Sequence, residues 1–577
     1  MHMQQEITAA IQKALAVLDL PKVSFTVERP AELLHGDYYT NVAMVVFRKL
    51  AAAVDSHADE IHWAGKWKNP HELAQHLKKE LHGKIDGVEK IEVAGPGFIN
   101  FYLSRDAIVS EIQKAATDAS WGSNSLQRDK TVMVEYTQPN PFKPFHIGHL
   151  MSNTFGESLV RLLRNANAKV IPVNYQGDVG LHIAKAIWGL QKKGYDASDV
   201  LEIGEAYVFG NTAYEDDVDA KTEIITINKQ VYAQDPAIMP LYTRGRAVTL
   251  ARFEEIYAML GTHFEHYFFE SEVWKVGEQL VRDGLQKGVF EESEGAIVFR
   301  GEKAGLHTRV FITKEGLPTY DAKDLGLAMA KLAYASFDLS ITVTATEQGE
   351  YFKVVFEALA ELRPELRGKF IRVTHGLLKL TTGKMSSRKG NVITGESLLL
   401  DLKEAAKEKM QGRELPDADK VAEQVAVGAI KYAVLKQGSG KDIIFDPEKS
   451  LSLEGDSGPY LQYALVRARS LIKKAEEANV SDAVIDLSDI AEFVAALTLD
   501  RVLIHFPEVV EHAVQELEPH YVTTYLTELA AAFNSWYANT RVIGGEYPSY
   551  ALTLARAFEH TMSRGLALLG IPAPEEM

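Results

Sequence analysis

A chain of 577 residues, 46% hydrophobic and 24% charged, is long enough for about three or four folded domains with cores of their own. With no cysteine it has no disulfide, no cysteine-ligated zinc or iron–sulfur centre and no thiol nucleophile. A net charge of -17 excludes a protein that coats nucleic acid through its phosphates, so any RNA partner must be a shaped one met through local contacts. The opening MHMQQEITAAIQKALAVL reads as an amphipathic helix without a basic n-region or a cleavage site. No apolar run approaches the roughly 20 residues of a membrane span. A cytoplasmic protein with no membrane partner is therefore expected.

Helices are predicted near 4–18, 40–54 and 70–81, with extended segments near 23–28, 91–93 and 98–103 and a turn at Gly95-Pro96-Gly97. That pattern suggests an α+β domain over 1–112, followed by a polar linker over 113–130. At Thr131 the run TVMVEYT reads as a strand that ends in Gln138-Pro139-Asn140-Pro141. Leu150, Phe155, Leu159, Leu162 and Leu163 then recur at helical spacing, and KVIPVNY is a second strand. Strand, loop, helix and strand in about 45 residues make a βαβ unit with a parallel crossover. The stretch of about 185–300 is mainly helical, with a hairpin near AIVFRG. RVFITKEG, LSITVTATEQ and FIRVTHG resume the α/β alternation. A doubly wound sheet over 131–400, split by that insertion, is the expectation. A connecting helical region follows over 401–454, and an all-α bundle over 455–577.

Two motifs carry chemistry. His146-Ile147-Gly148-His149 falls between strand and helix, where doubly wound sheets bind ligands and a helix N-terminus offers free N–H groups to phosphates. Its imidazoles can donate to phosphate oxygens, and Gly148 leaves room for a flat base. Lys384-Met385-Ser386-Ser387-Arg388-Lys389-Gly390 is a short basic loop suited to clamping phosphate. Four residues alone are as easily two incidental surface histidines, and the heptapeptide alone a solvated basic loop. Their occurrence in this order, with α/β sequence between them, favours a nucleotide site.

The pair resembles the HIGH and KMSKS signatures of class I aminoacyl-tRNA synthetases, which act by positioning and charge neutralisation. One departure is Ser387 in place of the second lysine of KMSKS. Which of Lys384, Arg388 and Lys389 meets pyrophosphate is left open. VEYTQPNPFKPFHIGHL, NYQGDVGLH, RVFITKEGLPTYDAKDLGLA and EGDSGPYLQYALVRARS resemble segments of the arginyl-tRNA synthetases, with Val179 standing where that family carries tryptophan. HGDYYTNVAMVVFRKL and VEKIEVAGPGFINFYLS resemble their N-terminal domain.

The resemblance implies a multidomain α/β protein. It would hold a Rossmann-like doubly wound catalytic domain, an N-terminal α+β domain and a C-terminal all-α anticodon-binding bundle. The implied activity joins L-arginine to tRNA(Arg) through arginyl-adenylate, with ATP and its Mg²⁺ as substrate, no protein-bound metal, no DNA partner and a monomeric chain. His146, His149, Lys143 and Lys384 are then the catalytic residues. Gly148, His375, Gly376, Met385, Ser386, Ser387, Arg388 and Lys389 would bind ATP. A satisfied core histidine is the competing reading of His375.

Asn140 and Asn174 would hold the α-amino and carboxylate end of arginine, and Tyr320, Asp324 and Gln348 its guanidinium. A guanidinium has five donors and a fixed charge, so its pocket needs a carboxylate. Asp324 taken alone would be an acid on a solvated helix start. Asp178 is either a turn-former or part of the substrate site. Tyr460, Tyr463 and Tyr537 would stack anticodon bases, unless they are core aromatics, and Asn41 and Phe98 would meet the tRNA corner. A cysteinyl enzyme is excluded by the lack of cysteine. The intact His146, His149 and Lys384 speak against a non-catalytic tRNA-binding paralogue, which a pyrophosphate-exchange assay would distinguish.

Overall fold

The structure, a computed structural model, describes residues 2–30, 32–55, 66–381, 394–412, 415–480 and 498–577. The expectations for Lys384, Met385, Ser386, Ser387, Arg388 and Lys389 lie outside the described residues. The chain divides into two compact units. One is Met1–Gly122 with Arg467–Val509 and Glu528–Met562, the other Ser123–Val466 with Val510–Thr527 and Ser563–Met577.

The first unit opens with α1 (Met3–Val17), β1 (Val27–Glu28), β2 (Tyr38–Thr40), α2 (Val42–Asp55), α3 (Pro70–Leu81), β3 (Val88–Ala94), β4 (Phe98–Leu103) and α4 (Arg105–Thr117). Its strands pair antiparallel in the order β1-β2-β4-β3. The apolar spacing of Ile7, Ile11, Ala14 and Leu15 puts one stripe of α1 inside. Asn69 caps α3 by accepting the Glu72 N–H, with Pro70 at the first helical position. The predicted turn joins β3 to β4. A side chain on Gly97, at φ 131°, would come within 2.9 Å of the Pro70 backbone. The stretch 113–130 is not a free linker throughout. It begins inside α4, where Ser104 caps a helix that buries Ile108, Val109, Ile112 and Ala115. Further on, Trp121 is buried and donates to Thr561. Its polar composition hid that apolar spacing.

The second unit contains β5 (Thr131–Glu135), α5 (Ile147–Asn165), β6 (Lys169–Gln176), α6 (Leu181–Lys193), α7 (Val200–Asp216), α8 (Val218–Ala233), α9 (Met239–Leu260) and β7 (His266–Phe269). It continues with α10 (Glu270–Gln286), β8 (Glu291–Ser293), β9 (Ala296–Phe299), β10 (Arg309–Ile312), α11 (Tyr320–Tyr334), β11 (Leu339–Ala345), α12 (Gly349–Leu362), β12 (Phe370–His375) and β13 (Leu378–Leu380). Five strands form a parallel sheet in the order β12-β11-β5-β6-β7. The chain starts in the middle, runs to one edge, and returns to build the other. The order therefore reverses between β5 and β11, and ligands of such sheets bind outside the carboxyl ends of strands at that point.

The helical insertion packs on Ile183, Ile187, Ile203 and Ile224. A second core joins the sheet to α10–α12 through Met133, Val173, Phe268, Phe311, Leu325 and Val354. Gly277 and Gly326 let α10 and α11 touch backbone to backbone. A Cβ on Gly277 would lie 1.9 Å from the Ala322 carbonyl oxygen, and one on Gly326 2.2 Å from that of Val273. The chain ends with α13 (Gly395–Lys409), α14 (Ala418–Leu435), β14 (Ile443–Phe445), α15 (Pro447–Ser450), α16 (Gly458–Glu477), α17 (Thr498–Leu503), α18 (Phe506–Glu516), α19 (His520–Asn539) and α20 (Pro548–Leu568). Lys431 of α14 is fully buried, donating to the carbonyls of Leu260 (2.6 Å) and Gly570 (2.8 Å), and burial pulls its ammonium down to about 7.

Candidate active site

The loop after β5 holds its shape against local preference. Thr137, Gln138 and Phe142 adopt φ of 78°, 57° and 64°, a region that β-branched and bulky residues avoid. Side chains from distant elements over-determine it. Ser152 of α5 accepts the Thr137 N–H at 3.0 Å, Asn174 of β6 the Gln138 N–H at 3.1 Å, and Thr249 of α9 the Phe142 N–H at 3.4 Å. Asn140 accepts the Gly177 N–H at 3.0 Å.

This loop delivers His146 and His149 to the start of α5. Their rings stack with centroids 3.3 Å apart and cap the helix reciprocally. The His149 N–H donates to His146 Nδ1, and the His146 N–H to His149 Nδ1. Each Nδ1 is an acceptor, so the proton of each neutral ring sits on Nε2. Burial, with Lys143 adding repulsion, holds His146 below the usual imidazole range; burial and the neighbouring His146 hold His149 well below it. The pair is thus two neutral N–H donors at a helix N-terminus. Gly148 is needed for the arrangement, because a Cβ there would press within 3.0 Å of the His146 ring.

Both histidines line a cavity of about 950 Å³ at the sheet's switch point. Asn140, Gly148, Tyr320, Asp324, Gln348 and His375 also line it. His375 ends β12, and its Nδ1 donates to the Gly376 carbonyl at 2.8 Å, leaving Nε2 as an acceptor. Tyr320 and Asp324 stand one turn apart on α11. Asp324 accepts the Tyr351 hydroxyl of α12 at 2.5 Å, and burial pushes its carboxyl up to about 7.

Other expected residues stand elsewhere. Asn174 is fully buried, with Oδ1 on the Gln138 N–H and Nδ2 on the Tyr257 hydroxyl at 3.0 Å. One bond at each end of its amide makes it a brace for the loop, and it does not line the cavity. Gly376 has a packing reason: a Cβ would lie 2.0 Å from the Lys441 carbonyl oxygen. Lys143 is absent from the wall; its ammonium sits 5.5 Å from the Tyr207 ring, and burial with Lys185 lowers it. Asp178 is buried and accepts from the Ser271 N–H and hydroxyl (both 2.9 Å), Arg246 (3.0 Å) and Tyr242 (3.2 Å). It pins the start of α10. Tyr460 and Tyr463 are half-buried on α16. In the other unit the Arg467 guanidinium covers the Tyr537 ring at 4.2 Å, Asn41 stands before α2, and Phe98 meets Tyr39 edge-on.

Sequence reasoning missed several wall residues. Glu270 sits at the β7–α10 junction and pairs with Lys323, which also donates to the Tyr232 hydroxyl at 3.0 Å. Burial lifts the Glu270 carboxyl, against the pull of that ammonium. Glu135 pairs with Lys331 at 2.5 Å. The Tyr175 hydroxyl is buried with no hydrogen-bond partner among the described residues. An acid directly after a strand was the only local signal for Glu270.

A five-stranded parallel sheet with two neutral histidines at its switch point, opposite a carboxylate-bearing cavity, is the arrangement of a class I aminoacyl-tRNA synthetase. The family model for the catalytic domain of class I (R) tRNA synthetases matches residues 111–447. Models for the arginyl-tRNA synthetase N-terminal domain and the DALR anticodon-binding domain match 1–103 and 461–577. The arginine–tRNA ligase of Clostridium beijerinckii is 30% identical over 522 residues, covering 88% of this chain and 91% of its own. That of Limosilactobacillus reuteri is 29% identical over the whole of both chains. The arginyl-tRNA synthetase structure of Thermus thermophilus superposes over both full chains with a TM-score of 0.80 at 26% identity. The chain belongs to the arginyl-tRNA synthetase family.

Proposed function

We propose that the cavity is where this chain, an arginine–tRNA ligase, joins arginine to ATP before passing it to tRNA(Arg). The arginine carboxylate attacks the α-phosphate of ATP, the bond to the β-phosphate breaks, and pyrophosphate leaves with its Mg²⁺. The Nε2–H groups of His146 and His149 donate to the phosphate oxygens as charge builds. Being neutral, they stabilise that charge without drawing it into fixed ion pairs beforehand. Lys143 and the loop from Lys384 to Lys389, with Met385, Ser386, Ser387 and Arg388, hold the pyrophosphate. His375 and Gly376 border the adenine. The terminal ribose hydroxyl of tRNA then attacks the arginyl carbonyl, and AMP leaves.

The observation that carries the amino-acid assignment is Asp324. It stands in the cavity wall with a phenol as its hydrogen-bond partner, so an arriving guanidinium supplies its counter-charge. Tyr320 and Gln348 add neutral partners, and Asn140 faces the α-amino end. In this reading Tyr460, Tyr463 and Tyr537 contact the anticodon, Asn41 and Phe98 the tRNA corner, and the enzyme works as a cytoplasmic monomer. Charging total tRNA with each of the twenty amino acids tests the assignment. Arginine alone should form a stable ester, and charging by any other amino acid at a comparable rate refutes it.

A further inference from the structure

Five carboxylates line the cavity: Glu135, Glu270, Asp321 and Asp324 in its wall, and Glu347, which is exposed to solvent. Three face a protein cation. Lys331 lies on Glu135, Arg309 on Asp321 at 2.5 Å, and Lys323 on Glu270. Lys323 belongs to α11, between Tyr320 and Asp324. Its ammonium lies 5.2 Å from the Tyr320 ring, and the Lys323–Glu270 pair is almost wholly shut from water. Lys323 itself does not line the cavity, whereas Glu270 does, so the ammonium lies behind the carboxylate.

Lys323 takes one oxygen of Glu270. The other faces the Gly177–Asn140 corner, where a Cβ on Gly177 would come within 3.0 Å of Glu270 Oε2 and 2.8 Å of Asn140 Oδ1. Glu270 therefore stands where a bound amino acid would meet it, with its charge already matched from behind.

We propose that Lys323 is a specificity-determining residue, an internal cation that neutralises Glu270 so that, of the four acids set into the wall away from solvent, Asp324 alone has no ion-pair partner among the described residues. The inference rests on the arginine-site reading above. Its consequence is a cavity matched to a single side-chain cation, with weaker hold on arginine than two unmatched acids would give. Unpaired, Glu270 would be a second acid for substrate, because truncating one partner of a buried charge pair leaves the other seeking a counter-charge.

The experiment is steady-state kinetics with tRNA present on Lys323→Met, Lys323→Met/Glu270→Gln and Asp324→Asn. Lys323→Met should lower KM for arginine about tenfold, with the change in KM for arginine and not in kcat or KM for ATP. The double variant replaces the pair by two neutral groups, and its KM for arginine should stay within about threefold of wild type. A folded Lys323→Met enzyme with unchanged or raised KM overturns the proposal. So does a double variant whose KM rises about tenfold or more, since Glu270 would then already serve the substrate. If Lys323→Met does not fold, the double variant decides. Asp324→Asn separates the two readings. If it leaves KM for arginine unchanged while Lys323→Met lowers it, the guanidinium placement is wrong and the shielding stands. The opposite pattern removes the shielding alone.

Discussion

Asp324→Asn is the substitution with the most to say about the cavity. The carboxyl of Asp324 is lifted from 3.8 to about 7, chiefly by burial, with Tyr351 pulling the other way. A raised carboxyl is protonated and neutral below that pH, so an arriving guanidinium then finds no charge. Arginine binding should weaken as pH falls through 7, with the apparent KM near pH 6 about tenfold above that near pH 8. Asparagine keeps the shape and deletes the titration. KM for arginine in the variant should lie roughly thirtyfold above wild type at pH 8, about 2 kcal/mol, and should be flat across this range.

The variant also controls for Lys431, which titrates near 7 as well, far along the chain. The free protein should respond in the opposite sense. A raised carboxyl costs stability progressively as pH climbs from about 4 to 7 and in full above that, so Asp324→Asn should be the more stable protein at pH 8, by about 4 kcal/mol at most. That gain should fade as pH falls from about 7 towards 4, where the wild-type carboxyl stays neutral in both the folded and the unfolded chain. Pyrophosphate exchange at graded arginine and pH, with thermal unfolding in parallel, measures both. A wild-type KM independent of pH, or a variant that keeps the slope, refutes the reasoning.

His149→Ala should lower exchange activity by about 10²–10³, the loss of one preorganised donor, with a further cost of about 1 kcal/mol in stability from the broken helix cap. Normal exchange in a folded variant would rule out the donor role. Lys143→Ala and Lys384→Ala, if they share the pyrophosphate, should together cost less than the product of their separate losses in rate. A strictly multiplicative double variant would mean independent work. Gly376→Ala should destabilise the protein by about 3 kcal/mol or more, because the new methyl group would lie 2.0 Å from the Lys441 carbonyl oxygen and 2.6 Å from the Asp442 nitrogen, backbone atoms that cannot swing aside as a side chain can. Unchanged chemical denaturation would show that the β12–β13 turn yields.

Much of this was legible because it is local. The β-branched run at Thr131, the prolines that stop it and the helical spacing from Leu150 are properties of adjacent residues, and β5 and α5 stand where they imply. Asp324 was picked out only by the resemblance of RVFITKEGLPTYDAKDLGLA to the arginyl-tRNA synthetases, since by itself an acid there reads as a solvated helix start. The sheet order was not readable, since register across β12-β11-β5-β6-β7 comes from tertiary pairing. Asn174 looked like a substrate ligand because its motif neighbours the site. Only the folded chain shows its amide bonded to Gln138 and Tyr257. Glu270 and Lys323, 53 residues apart, are paired only by the tertiary fold, which no local pattern of polarity would select.

The left-handed loop after β5 also sets an order of events during synthesis. Its shape is imposed by Ser152, Asn174 and Thr249, and the last of these leaves the ribosome more than a hundred residues after the loop itself. A nascent chain that stops short of α9 therefore contains both histidines without their stacked geometry, since Phe142 then lacks the hydroxyl that holds its N–H. Nucleotide affinity should be acquired late in translation, once α9 has emerged and docked, so that an incomplete chain is spared from binding ATP it could not use.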